Sequence, residues 1–414
     1  MLDIKFIRDN KELVEKNCKN RGVKADIGRL LELDAERRER IVKIEELRAL
    51  RNQKSKGKPS PEEIENMRTV GDRIAASETD LAALETEYLR FLKTIPNMTH
   101  PESPVGGEDD FKVLEVVGAP PKFDFEPKDH EALMLDLNVI DFDRATKTTG
   151  AKFYFAKNDL VRLNQALLNY GLDIAVKHGF TLMETPDLAK DEILEGIGFN
   201  PRGPETQVYS IEGHDLSLVG TAEITLGGYH AKEILDLNTP VKFAGISHCF
   251  RTEAGAYGRE SRGLYRVHQF TKLELFAFCR PDDSEELHRE ILHLEKEIID
   301  GLGLPYRIID IASADLSGPA YRKFDIEAWM TMKNGYGEVT SASNCTDYQA
   351  RRLAVRTKDR EGNTVFAHTL NGTALNTSRF PIAIFENFQR EDGSIEIPKA
   401  LRPYMSGQKY IEKI

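Results

Sequence analysis

No run of about eighteen apolar residues occurs anywhere in the chain, and the opening MLDIKFIRDNKELVEKN carries charge throughout, without the apolar centre of a signal peptide. These absences point to a soluble protein that stays in the cytoplasm and off the membrane. Cysteine is scarce. Cys18, Cys249, Cys279 and Cys345 lie far apart and form no CxxC pair, so neither a structural zinc site nor a disulfide framework is expected. The thiols are read as reduced, in packing or surface roles. A Walker GxxxxGK[ST] and a Rossmann GxGxxG are both missing, so the phosphates of any bound nucleotide must be held by side chains. Positive charge is not in surplus: 57 Lys+Arg against 68 Asp+Glu leave a net −11, which argues against indiscriminate nucleic-acid binding. Salt confines surface fields to about 10 Å, so a local basic patch can still hold phosphate.

With 414 residues, 40% of them hydrophobic, the chain can bury a large core and is expected to hold two domains. Residues 28–53 contain no proline and mix leucine and isoleucine with charges at helical spacing, which predicts one long helix. KSKGKPS breaks it. Ser60-Pro61-Glu62-Glu63 announces a second helix: Ser60 can cap it, Pro61 suits its first position and Glu63 closes a capping box; Pro96 ends it. Within it Met67, Val70, Ile74, Ser77, Leu81, Leu84, Tyr88, Phe91 and Ile95 fall at three- and four-residue steps, a heptad seam with one polar member. Leu30, Leu33, Ile44 and Leu47 offer a similar seam, interrupted at Arg37 and Arg40. Two such helices predict an antiparallel hairpin whose arms reach about 40–50 Å.

The pattern alone fits a helical subdomain or a dimerisation coil as well as a binding arm. Charge shifts the reading. Arg29 to Lys58 holds ten Lys+Arg against six Asp+Glu, with Arg48, Arg51, Lys54, Lys56 and Lys58 gathered toward the tip. A solvated basic face is the bland explanation and a handle for a phosphate backbone the sharper one. Residues 97–110 bear proline and glycine and end in an acidic run, so they read as a linker between an N-terminal domain (1–109, hairpin 28–95) and a larger one (110–414). In the larger domain, helices are expected at about 159–178, 283–301 and 343–355, and strands at VKFAGISHCF, YRVHQFTKLELFAF and DIEAWMTM. Strands follow one another without a helix between each pair, so the fold class is α+β with an antiparallel sheet.

Phe250 to Phe276, FRTEAGAYGRESRGLYRVHQFTKLELF, gathers Arg251, Arg259, Arg262 and Arg266 with Glu253, Glu260 and Glu274 around a glycine-bearing loop. Guanidinium groups offer a planar fork of donors and neutralise charge on a phosphoryl group. Strand alternation from Tyr265 places Arg266, His268, Phe270, Lys272, Glu274 and Phe276 on one side, a polar and aromatic face suited to a nucleotide platform. Alone, such a segment is more readily a solvent-facing strand with scattered charges. Residues 371–404 repeat the logic, with Asn371, Thr373 and Arg379 leading into an apolar helix-like segment. Between them GEVTSASNCTDYQARR places Glu338 before Ser341, a pairing that could hold magnesium through oxygen.

These segments together resemble the class II aminoacyl-tRNA synthetases and, within them, the seryl-tRNA synthetase family. Phe250-Arg251, the loop and GLYRVHQFTKLELF resemble motif 2, and NGTALNTSRFPIAIFENFQREDGSIEIPKALRPYM resembles motif 3. Helix 159–178 with HGFTLMETPDL and Pro186 resembles motif 1, the dimer element; TAE at 221–223 and the hairpin are seryl-specific marks. The likeness runs over nearly the whole chain. It implies an antiparallel-sheet catalytic domain, a tRNA-binding hairpin and a homodimer, with ATP, Mg2+, L-serine and tRNA(Ser) as partners; tRNA(Sec) stays open.

Residue by residue, the resemblance implies that Arg251 clamps the α-phosphate where the serine carboxylate attacks, Glu253 faces the adenine edge and Arg266 holds the terminal phosphates. Phe270 would stack on adenine, with Arg379 covering the other face and touching the γ-phosphate. Glu338 and Ser341 would contact magnesium, while Thr221, Glu223, Arg251, Glu274, Asn371 and Thr373 would contact serine. Arg251 and Arg379 form the implied catalytic pair for serine activation and transfer to tRNA. Two departures stand out: Gly220, where members commonly carry proline, and Asn376, where a smaller residue is usual. Two other readings remain: an amino acid:carrier-protein ligase, whose members lack the long arm, and a non-catalytic tRNA-binding paralogue, which needs no phosphate clamps.

Overall fold

The computed structural model describes residues 1–54, 60–199, 207–253 and 263–413, without the side chains of residues 53, 54 and 63. It contains two compact units, Met1–Met98 and Thr99–Ile414. In the first, α1 (Ile4–Asp9), α2 (Lys11–Asn20), α3 (Ile27–Lys54) and α4 (Pro61–Thr94) follow one another. Pro61 opens α4, and the Ile64 amide donates to the Ser60 carbonyl at 2.9 Å. The Glu63 carboxyl expected to close that cap lies outside the described residues.

The seam read from the sequence is the buried edge of the hairpin. Ile74, Leu84, Tyr88 and Ile95 of α4 and the segment after it are buried, as are Leu30, Leu33 and Ile44 of α3. At the interruption the two arginines stay on the seam and meet acidic partners on α4. Arg37 Nε donates to Glu85 Oε1 at 3.0 Å with its guanidinium 5.5 Å from the Tyr88 ring centre, and Arg40 lies 3.6 Å from Asp80. Such half-exposed pairs add only about 0.2–1 kcal/mol each, so their effect is on helix register. At the base, Leu2, Ile7, Val14 and Cys18 join Ile27, Leu30, Leu33, Leu84, Tyr88, Leu92 and Ile95 in one core.

The second unit is built on an eight-stranded sheet of β1 (Lys112–Val117), β2 (Thr181–Glu184), β3 (Val241–Phe250), β4 (Gln269–Cys279), β5 (Tyr306–Asp310), β6 (Arg322–Met330), β7 (Gly335–Asn344) and β8 (His368–Asn376). Across it the strands run β1-β5-β6-β7-β8-β4-β3-β2. All neighbours are antiparallel except β2 and β3. Helices α5 (Asn158–Lys177), α6 (Glu223–Gly228), α7 (Ser284–Leu302), α8 (Tyr348–Leu353) and α9 (Arg379–Asn387) complete the frame. Residues of α5, α7 and α9 share the main core with Leu273 and Leu275 of β4, whereas α6 and α8 pack with Phe276 and Phe278 on the other face.

Three expectations need correction. The strand expected from Tyr265 starts at Gln269; the residues before it bend, tied by the Arg251 amide to the His268 carbonyl at 3.0 Å. The helix expected over 343–355 is shortened to Tyr348–Leu353, because residues 343–344 finish β7 and both Thr346 (φ 46°) and Ala354 (φ 56°) turn left-handed. The segment read as a linker packs with the second unit from Thr99 onward: the His100 amide donates to the Tyr321 carbonyl at 2.9 Å and that of Ser313 to Pro104 at 2.8 Å.

Two bulges shape the sheet centre. Between β6 and β7 the register jumps from Ile326↔Thr340 to Glu327↔Glu338, leaving Val339 unmatched. Between β8 and β4 it jumps from Thr373↔Glu274 to Leu375↔Leu273, leaving Ala374 unmatched. Between these irregularities β7 and β8 pair only from Ala342↔Gly372 to Asn344↔Leu370. Each bulge bends its strand and reverses which side chains face which way.

Candidate active site

A cleft of about 310 Å³ opens over the centre of the sheet. Every residue proposed from the sequence for ATP, serine or magnesium lines it: Thr221, Glu223, Arg251, Glu253, Arg266, Phe270, Glu274, Glu338, Ser341, Asn371, Thr373 and Arg379. The bulges explain how. Residues 338 and 341 are an odd number apart and would face opposite ways on a regular strand, yet the extra residue Val339 brings both to the cleft. Thr340, between them, turns the other way and donates to Glu295 Oε2 at 2.9 Å. On β8 the extra Ala374 likewise lets Thr373 and Asn376 both line the cleft.

Arg251 follows the last residue of β3. Its Nε donates to the Gly220 carbonyl at 3.3 Å and its guanidinium lies 5.3 Å from the Phe270 ring centre, so two groups aim it before any ligand arrives. The departure at Gly220 is sterically open: a Cβ there would meet only ordinary contacts, with the Phe250 carbonyl at 3.5 Å. Arg266 lies 3.4 Å from Glu253, whose backbone is left-handed at φ 49°. Arg379 begins α9; its NH1 is 3.2 Å from Glu338 Oε1 and 3.1 Å from the Glu338 carbonyl, and its guanidinium stacks 4.8 Å from Tyr265. The second departure has a function in the frame. Asn376 Oδ1 accepts from the Arg379 amide at 2.8 Å while its Nδ2 donates to the Val339 carbonyl at 2.8 Å, joining the start of α9 to the bulge on β7.

Burial works to raise the Glu338 carboxyl, but Arg379, Lys323 and Arg251 outweigh it and hold the group below its ordinary range, while solvent reaches two-fifths of the side chain. A charged carboxylate and a hydroxyl side by side suit a hard cation such as magnesium. Elsewhere in the cleft the balance reverses. Glu223 is pushed up to about 7 by burial and by Glu274, with the Gln349 amide pulling the other way. Burial also raises Glu274, against the pull of Lys272, whose ammonium lies 2.5 Å away. Arg251 bears on Glu223, Glu274 and Glu338 together. The cleft therefore offers carboxylates for an ammonium group beside a cation for a carboxylate or phosphate.

Sequence reasoning placed Lys272 on the correct face but gave it no role, and it missed Tyr265, Lys323, Ser343 and Ser378, which also line the cleft. Lys272 alternates with Phe270 and Glu274, a signal that was available. Lys323 comes from the neighbouring β6, where only the register opposite Ser343 brings it in. Of the residues proposed for tRNA, Arg48 and Arg51 are exposed on α3, and Arg48 NH2 pairs with Glu78 at 2.7 Å. Lys56, Lys58 and the Lys54 side chain lie outside the described residues, as do Arg259, Glu260 and Arg262 of the motif 2 loop.

Among the described residues no group of three or more His, Cys, Asp or Glu could hold a metal ion, and no helix is long and apolar enough to cross a membrane. Residues 1–99 match the seryl-tRNA synthetase N-terminal domain, and residues 207–388 match the tRNA synthetase class II core domain of the G, H, P, S and T enzymes. A serine--tRNA ligase of Treponema denticola is 54% identical over 98% of both chains, and one of Rubrobacter xylanophilus is 51% identical over 98% of both. The crystal structure of seryl-tRNA synthetase from Pyrococcus horikoshii complexed with ATP, 37% identical, superposes over the whole of both chains with a TM-score of 0.91. On the hairpin, the bulged antiparallel sheet and these full-length likenesses, the chain belongs to the seryl-tRNA synthetase family.

Proposed function

We propose that the protein activates serine with ATP to seryl-adenylate and transfers the seryl group to the 3′-terminal ribose of tRNA(Ser). The observation that carries this reading is the convergence in one cleft of an ammonium-binding pair, Glu223 and Glu274, with Arg251, Arg266 and Arg379 around Glu338 and Ser341. The likeness to serine--tRNA ligases and to a synthetase solved with ATP supports it. In the first step a serine carboxylate oxygen bonds to the α-phosphorus as the bond to the bridging oxygen breaks and pyrophosphate leaves. Arg251 meets the charge that develops on the α-phosphoryl group, and Phe270 beneath it supplies a stacking face for adenine. Arg266, released from Glu253, and Arg379 hold the remaining phosphates, while Glu253 turns to the adenine edge.

Glu338 and Ser341 would hold a magnesium ion, which supplies charge neutralisation for the phosphates when bound. Thr221, Asn371 and Thr373 complete the serine pocket. Alanine, lacking the hydroxyl, would leave a buried polar group unpaired there at a cost of about 1–3 kcal/mol. In the second step the ribose hydroxyl attacks the acyl carbon and AMP departs. The hairpin, with Arg48, Arg51 and the lysines beyond them, would lie along tRNA and contact its backbone. Dimerisation through the motif 1 region is supported by apolar residues left exposed there, among them Val161, Val176 and Leu182. A cytoplasmic location fits this role. Exchange of labelled pyrophosphate into ATP that depends on serine and on no other amino acid tests the first step.

A further inference from the structure

Gln349 does not line the cleft, yet it is completely buried on α8, directly behind Glu223. Its Nε2 lies 3.1 Å from the Ile197 carbonyl and 2.7 Å from Glu223 Oε1, and its Oε1 accepts from the Thr369 hydroxyl at 2.7 Å. The Ile197 carbonyl can only accept, so it fixes which end of the amide is NH2. The second hydrogen of that NH2 then points at Glu223. Asn371 Nδ2 donates to the same Glu223 oxygen at 3.0 Å. With two N–H donors on Oε1, the carboxyl cannot rotate freely, and Oε2 is the oxygen left for a ligand in the cleft.

We infer that Gln349 is a positioning residue for the serine subsite: it anchors one oxygen of Glu223 within the protein so that the other is presented to the amino group of the substrate. This rests on the reading of Glu223 as a serine contact. A buried amide with every hydrogen-bonding group used is well placed for such work, because a misaligned carboxylate loses much of its charge-assisted bond to an ammonium. The charged groups facing Glu223 are Glu274 and Lys272 on β4 and Arg251 after β3, and none of them reaches Oε1 among the bonds of the described residues. Donation from Gln349 favours the charged form of Glu223, against burial and Glu274.

The test is the full-length enzyme carrying Gln349→Leu, which keeps the volume and removes the donors, assayed by pyrophosphate exchange with serine and ATP varied separately. KM for serine should rise about tenfold or more while KM for ATP stays unchanged. The acid limb of kcat/KM for serine should move to higher pH, a shift that a general loss of packing does not produce. Should Gln349→Leu fold poorly, Thr369→Val, which releases the other end of the amide, should give the same split to a smaller extent. Equal changes in both KM values, or an unmoved serine KM and acid limb, would overturn the inference. Glu223→Ala is assayed alongside: if it leaves serine KM untouched, the assignment of Glu223 itself fails, independently of Gln349.

Discussion

Arg251 is aimed by a backbone carbonyl and an aromatic ring and bears on three carboxyl groups of the cleft. Arg251→Ala should therefore lower serine-dependent exchange by about 10²–10³-fold, the range seen when a transition-state donor is lost, with the thermal midpoint little changed. Near-normal exchange by a folded variant would remove Arg251 from the mechanism. Glu223 makes a pH-dependent prediction. Burial and Glu274 lift it to about 7, so below that pH the free protein holds it protonated and unable to pair with an ammonium. KM for serine should rise as pH falls from about 8 to about 6; a flat profile would contradict the role. The side chains that line the cleft were legible because chemistry restricts which residues can hold phosphate, ammonium or a hard cation. Gln349 was not, since it stands 126 residues from Glu223 in the chain and only the fold brings them together.

At the scale of elements, strands and helices were readable from periodicity: VKFAGISHCF became β3 residue for residue, and the hairpin helices fell within one residue of expectation. The bulges at Val339 and Ala374 were not, because alternation assumes an unbroken ladder. They leave a narrow passage at Gly372, where a Cβ would lie 2.5 Å from Glu295 Oε1 and 2.6 Å from Ile291 Cγ2. Gly372→Ala should destabilise the second unit by about 1–3 kcal/mol in denaturant titration, since the Glu295 and Ile291 side chains of α7 must shift to admit it; an unchanged midpoint would show that these side chains give way freely. Glu295 itself is completely buried, and burial raises its carboxyl well above the ordinary range. A group whose folded pKa is raised favours the protonated native state, so stability present at low pH is lost as pH climbs past the unfolded value of about 4.3. Glu295→Gln should accordingly be more stable than the parent at about pH 8, with the advantage shrinking toward about pH 5. An advantage independent of pH would mean that the carboxyl is not the cause.

At the scale of the whole molecule, the division into a helical hairpin unit and a sheet unit was legible from composition, although the boundary falls at Met98, at the start of the proline-glycine segment and not at its end. That segment reads as a linker, and its backbone bonds to Tyr321 and Ser313 show otherwise. Replacing residues 41–79 with a short turn removes the distal arm but keeps the basal core of Leu33, Leu84, Tyr88 and Leu92. Such a protein should exchange pyrophosphate normally while tRNA aminoacylation falls about tenfold or more, because the phosphate contacts proposed for the arm are gone. Aminoacylation at the full rate would assign the arm another task. Serine activation and transfer to tRNA are put to the test together by measuring pyrophosphate exchange with each amino acid in turn and then acylation of total tRNA with the amino acid that supports it. Exchange with serine alone, followed by charging of tRNA(Ser), is the predicted result. Exchange without charging would contradict it in favour of a carrier-protein ligase, and no exchange by the folded protein would contradict it in favour of a non-catalytic tRNA-binding relative.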